Sequence, residues 1–159
     1  MLFPTHLLVG YVLGRRWDLP ALAVVAGAAL PDVVDKPLGM AGVFELYQTV
    51  GHSLLVLVVA GVSVTAGRSG RPRRLGVALW VGWASHLVLD AVHMIVNGRP
   101  ADVRFLGWPL LRHVPAVQLP PVEFAFHYLW TPSFFLEAAA WIGVGLLLVT
   151  GRLDGAESA

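Results

Sequence analysis

The run Ser85-His86-Leu87-Val88-Leu89-Asp90-Ala91-Val92-His93 lies in the middle of the longest apolar segment of the chain. On an α-helix, positions i, i+4 and i+7 share one stripe, so His86, Asp90 and His93 face the same way. Imidazole nitrogens and carboxylate oxygens suit Zn²⁺, Mn²⁺ and related divalent ions. Ionisable groups in so apolar a setting are costly alone, and a cation among them offsets the desolvation that each would suffer. The chemistry to expect is therefore that of a bound metal.

Other segments supply matching groups: His6 near the start, Asp32 and Asp35 just after Pro31, His52 before Ser53, and Glu137 in the last apolar run. Each also has an ordinary structural reading. Asp32 suits a helix cap or turn; Asp35 suits a pair with Lys36, or the orientation of a ligating histidine; His52 suits a solvated helix end. His93 is closer to the segment's end. Glu123 and His127 are spaced i, i+4, but nearby prolines disfavour a helix around them. The chain has no cysteine, which excludes disulfides and thiolate ligands. It also has no His-Glu-x-x-His motif.

These groups need elements to hold them, and composition says which solvent those elements meet. Of the 159 residues, 57% are hydrophobic and 13% are charged, whereas a soluble domain carries roughly 25% charged residues. The expected fold class is all-α: an integral membrane bundle of about four to five helices. Residues 1–151 would form one embedded domain and residues 152–159 a polar tail. Short apolar segments at 2–14 and 19–30 suggest a helical hairpin, interrupted by Arg15-Arg16-Trp17-Asp18 and ended by Pro31. Residues 38–51 read as a loop or short surface helix and 52–66 as a short apolar helix. Residues 75–97 and 134–150 read as spans, joined by a proline- and aromatic-rich connector on the membrane surface. No positive n-region precedes the first apolar run, so a signal peptide is not expected.

Orientation follows from Gly67-Arg68-Ser69-Gly70-Arg71-Pro72-Arg73-Arg74, since short arginine-rich loops stay cytoplasmic. Every candidate ligand then gathers toward the extracytoplasmic face of the cell membrane, with the C-terminus cytoplasmic. Four arginines in one loop do not make a nucleic-acid surface, and no nucleic-acid partner is expected.

Four short motifs in this order carry a resemblance: Thr5-His6 with Gly10; Leu30-Pro31-Asp32-Val33-Val34-Asp35-Lys36-Pro37; Gly51-His52-Ser53-Leu54; and His86-Leu87-Val88-Leu89-Asp90, followed by Trp108-Pro109-Leu110. Together they resemble the YdjM-like, DUF457-type family of small integral-membrane, metal-dependent hydrolases. That family is grouped with the zinc phospholipase C and P1 nuclease fold class. The resemblance covers roughly residues 1–110, and Glu137 more loosely. It implies a helical bundle holding one or two divalent ions, zinc first and Mn or Mg as alternatives. One departure stands out: Gln48-Thr49-Val50-Gly51 replaces the arginine that many members place before the His-Ser pair. An anion-holding arginine must then come from elsewhere, with Arg99, Arg104 and Arg112 as candidates.

The expected function is hydrolysis of a phosphoester, lipid or small molecule, by metal-activated water. His6, Asp32, His52, His86 and Asp90 would be the ligands, with Asp35 or Glu137 completing the set. Asp35 and Asp90 would be the catalytic carboxylates, Asp35 being the first choice of general base. Two other readings use the same residues: a transporter or ion relay, and a non-catalytic membrane protein with a structural metal. The oligomeric state is not legible in the sequence.

Overall fold

A computed structural model describes residues 1–66 and 69–150 of the chain. Gly67 and Arg68 of the arginine loop, and the expected polar tail at 152–159, lie outside the described residues. Among those residues the chain is all helix, with no strand. Its elements are α1 (Phe3–Arg16), α2 (Ala21–Met40), α3 (Leu54–Thr65), α4 (Gly70–Val96), a 3₁₀ helix (Pro100–Gly107), α5 (Pro121–Tyr128) and α6 (Pro132–Val149). These are seven helical segments rather than four to five. The additional ones are the 3₁₀ helix and α5, both in the connector, where proline density hides helical periodicity.

α1 opens with proline in its first turn and closes on Arg15 and Arg16, whose charges suit the negative end of a helix dipole. It forms the expected hairpin with α2, which packs against both α1 and α4. The ion pair Arg74–Asp18, 2.8 Å long, brings the α1–α2 turn to the start of α4. The basic residues of both turns therefore share one end of the bundle. His86 lies sixteen residues beyond Gly70 along α4, which is about 24 Å at 1.5 Å per residue.

α2 corrects the sequence reading. Sequence alone places its end at Pro31, but the helix continues through Pro31 and Pro37 to Met40. A proline removes one donor, and helices in apolar surroundings tolerate this where neighbours pack against the break. Here the loop before α3 supplies the packing, since a Cβ on Gly51 would stand 2.8 Å from the Pro31 backbone. As a result Asp32 and Asp35 project from a helix, one turn apart, rather than from a turn.

Burial is inverted relative to a soluble protein. His6, Asp35, His52 and His86 are at most 1% exposed, while Val62, Val88 and Ile142 are more than 60% exposed. An outer surface of this kind needs lipid rather than water. α4, with 27 residues, is long and apolar enough to cross a bilayer. α5 and α6 together pass the same test as one broken segment bent by 88°. α3, with 12 residues, is apolar but shorter than the roughly 20 residues a crossing needs. The connector is more than a surface strap, because its Phe105 is buried with its ring 5.9 Å from that of His52.

Candidate metal centre

α2, α4 and the loop before α3 meet around a pair of imidazoles. His52 Nε2 and His86 Nε2 stand 3.2 Å apart. Asp32 Oδ1 lies 3.5 Å from the first and 3.8 Å from the second. Asp90 Oδ2 approaches the same two nitrogens at 3.5 and 3.6 Å. Asp90 Oδ1 is 3.2 Å from His6 Nε2 and 3.1 Å from the Met1 amino group. Gln48 donates to Asp90 Oδ2 at 3.3 Å. Five residues from four parts of the chain thus converge on one point.

The tautomers follow from what the other ring nitrogens do. His86 Nδ1 is 2.7 Å from the Ala28 carbonyl oxygen, which can only accept, so that nitrogen carries a hydrogen. His52 Nδ1 lies 2.8 Å from Asp35 Oδ2 and donates in the same way. Each neutral ring then turns a bare Nε2 lone pair toward the other, with two carboxylates beside them. Four acceptors facing one another need a positive charge among them. Burial alone would lower the pKa of His52, but hydrogen bonds to Asp32, Asp35 and Asp90 outweigh it and raise the pKa to about 10. Without a metal, a proton fills the place that a cation would take.

The donor set passes a geometric test for zinc. Tetrahedral Zn²⁺ with bonds of about 2.0–2.1 Å has ligand-to-ligand edges of about 3.3–3.4 Å. The Asp32, His52 and His86 triangle has edges of 3.2, 3.5 and 3.8 Å, so these three residues could form one face of such a site, and Asp90 Oδ2, 3.5 and 3.6 Å from the same two nitrogens, stands beside that face. His6, His86 and Asp90 form a second close group. It fits less well, because the His6 and His86 rings are stacked at 3.8 Å with an interplanar angle of 17°. Stacked rings aim their lone pairs side by side instead of at a common point. His6 is better placed to donate from Nε2 to Asp90 Oδ1, which leaves its buried Nδ1 without a partner.

Two expected residues stand elsewhere. The sequence offers Asp35 as a ligand or general base, but both its oxygens are already engaged. They accept from the Thr49 amide and hydroxyl, the Gly51 and His52 amides, and His52 Nδ1, at 2.6–3.2 Å. Its place is behind His52, whose ring it orients. Carboxylates in that position typically tune metal affinity by about 10–100-fold. Asp35→Asn turns an NH2 toward N–H donors in a buried site, so it is expected to weaken zinc binding by at least that factor and to lower the melting temperature, as read by competitive chelator titration and thermal melting. Glu137 is buried too, but its Oε1 accepts from the Leu2 amide at 2.8 Å. It belongs to neither close group among the described residues.

The remaining candidates separate by environment. His93 points away from the cluster, toward Asn97, Arg99 and the rings of Phe124 and Tyr128. Glu123 and His127 are exposed, although they do share the short helix α5. Of the three arginines, Arg99 lines the cleft over the cluster together with Asp32, Asp90, Lys36 and Gln48. Arg112 lines a different cleft, with Phe44 and Trp108, and Arg104 is exposed. The Ala28 carbonyl and the Thr49 side chain give no signal in the sequence, because a backbone oxygen is invisible there and a lone threonine is unremarkable. Trp83 donates to the Gly51 carbonyl at 2.6 Å and pins the loop that carries His52.

Compared with known proteins, the chain matches the profile of the YdjM inner membrane protein family over residues 1–152. No curated protein and no solved structure matches it.

Proposed function

The chain belongs to the YdjM inner membrane protein family, and from that membership and the buried cluster we propose that it is a membrane-embedded, metal-dependent hydrolase acting on phosphoesters. The observation that carries this reading is the 3.2 Å approach of His52 Nε2 and His86 Nε2 beside the carboxylates of Asp32 and Asp90. Zinc is the ion we assign, held by Asp32, His52 and His86. In this assignment Asp90, 3.5 and 3.6 Å from the same nitrogens, serves as a base and not as a fourth ligand, which leaves the open position of catalytic zinc; structural zinc is closed by four.

A divalent ion in this place acidifies a bound water toward a pKa of about 7 and polarises a phosphoryl oxygen. The chain's own groups do the rest. Asp35 and the Ala28 carbonyl hold the two imidazoles in the tautomer that offers Nε2. Asp90 lines the open cleft and is the carboxylate placed to accept a proton there, in the role that the sequence suggests for Asp35. Lys36 has its Nζ 3.6 Å from Asp32 Oδ1 and adds positive charge at the same opening. The site lies at the end of the bundle away from the basic turns. With those turns cytoplasmic, the cleft opens toward the extracytoplasmic face, where a lipid or soluble ester can reach it.

Purified protein is expected to contain about one zinc per chain and to lose phosphoesterase turnover on chelation, regaining it when zinc is restored. Metal analysis and turnover on phosphomonoester and phospholipid substrates check this. Metal-free protein that turns over at full rate would overturn it.

A further inference from the structure

The cleft over the cluster contains a second polar arrangement, built around Arg99 where α4 gives way to the 3₁₀ helix. Its starting point is a hydrogen-bond conflict. The Ser133 amide donates to Asn97 Oδ1 at 3.1 Å, which fixes the orientation of that amide side chain. Asn97 Nδ2 consequently faces His93 Nδ1 at 3.0 Å and donates to it. Neutral His93 then carries its hydrogen on Nε2. That Nε2–H faces Arg99 Nη2 at 3.2 Å, and arginine can only donate. Two donors pointed at each other need a shared acceptor.

Arg99 is held in this position firmly. Its Nη1 donates to Asp102 Oδ2 at 3.0 Å, and Asp102 is only 3% exposed. Asp102 also accepts from His113 Nε2 at 2.9 Å and from the Ala116 amide at 3.1 Å. Burial alone would raise the Asp102 pKa, but the hydrogen bonds from His113 and Ala116 and the charge of Arg99 hold it below the usual carboxylate range. The anchor therefore stays ionised at neutral pH. Lys36 lines the same cleft, while Gln48 there is neutral.

We infer that Arg99 Nη2 and His93 Nε2–H together bind the oxygens of a dianionic phosphate group, with Lys36 contributing charge, so that the substrate is a phosphomonoester. The guanidinium and the imidazole each supply one N–H to a common oxygen, and Asp102 positions the arginine without touching the ligand. Charge-assisted bonds from a pre-oriented arginine are the usual means of fixing phosphate. A monoester carries two negative charges near neutral pH; Arg99, Lys36 and the Met1 amino group line the cleft, the last two beside Asp32 and Asp90, so the dianion is held chiefly by the Arg99 and His93 donors. The inference rests on the phosphoesterase reading for the fate of the bound ester, but the binding itself is measurable apart from it.

Inorganic phosphate titrated calorimetrically into zinc-loaded, full-length protein in nanodiscs is the direct test. Arg99→Gln is expected to weaken binding at least tenfold with zinc content and melting temperature unchanged, and Arg99→Lys less, since lysine keeps charge but loses the fork. Arg112→Gln, in the other cleft, is expected to bind as wild type does. Asp102→Asn should raise KM more than it lowers kcat, as a positioning residue would. Turnover of p-nitrophenyl phosphate and of phosphatidic acid in bilayers then separates a soluble from a lipid source. Whichever substrate loses kcat/KM in Arg99→Gln identifies it. Wild-type phosphate affinity in folded Arg99→Gln overturns the inference. Phosphate binding that depends on Arg99 without any turnover sinks the hydrolase reading and leaves the anion site standing.

Discussion

His86→Ala is expected to remove metal and activity together. His86 is the one residue common to both groups of close ligand atoms, and its Nε2 is within 3.8 Å of His52, Asp32 and Asp90. Losing it leaves one imidazole and two carboxylates, and opens a void beside the His6 ring that stacks on it. The fall in zinc affinity should exceed the about 10–100-fold expected when only a group behind a ligand is lost. Turnover should fall in proportion to metal occupancy, so added zinc should not restore it at concentrations that saturate the wild type. Metal analysis after desalting, with turnover on the same sample, reads both quantities. A His86→Ala protein that keeps one zinc per chain would show that the Asp32, His52 and His86 triangle is not the site.

Gly82→Ala is expected to be the most damaging change outside the site. A Cβ at Gly82 would stand 1.9 Å from the Val24 carbonyl oxygen and 2.7 Å from the Ala28 amide nitrogen. At Gly27, across the same contact, a Cβ would be 2.0 Å from the Leu79 carbonyl oxygen. These are backbone atoms in helices, so neither position can be relieved by turning a side chain. Alanine favours a helix over glycine by about 1 kcal/mol, whereas overpacking costs about 1–3 kcal/mol or more. The steric cost wins, and α2 must move away from α4. Asp32 sits on one of these helices and His86 on the other, so the same displacement opens the ligand triangle. Thermal melting should show a marked loss of stability, together with reduced zinc retention. Gly143→Ala and Gly145→Ala on α6 provide the contrast: a Cβ there meets nothing within 4 Å, and these variants should melt at or above the wild-type temperature. Equal melting of all three variants would mean that α2 and α4 pack less closely than these distances require.

Two of the corrections share a physical origin. Pro31 looks like a helix end because, taken alone, proline breaks the hydrogen-bond ladder. The helix persists because a loop some twenty residues later packs over the break. Asp35 looks like a ligand or base because it stands three residues from Asp32 in an oily chain. Its oxygens are instead taken up by the amides of the 49–52 loop, partners that no local pattern announces. Arg99, Arg104 and Arg112 are equivalent as sequence, and only Arg99 lines the cleft.

The sequence by itself determined the chemistry available and its solvent. Apolar composition and helical spacing put imidazoles and carboxylates where water is scarce, and such groups must find partners or a cation. That argument needs residue types and periodicity only, both of which are local. The tertiary structure decided which nitrogen faces which, which carboxylate lines the cleft and which lies behind a ring, and which arginine reaches over the opening. Those depend on contacts between residues such as Ala28 and His86, or Asp35 and Gly51. Their meeting is set by how closely α2 and α4 approach, a distance that no local spacing encodes.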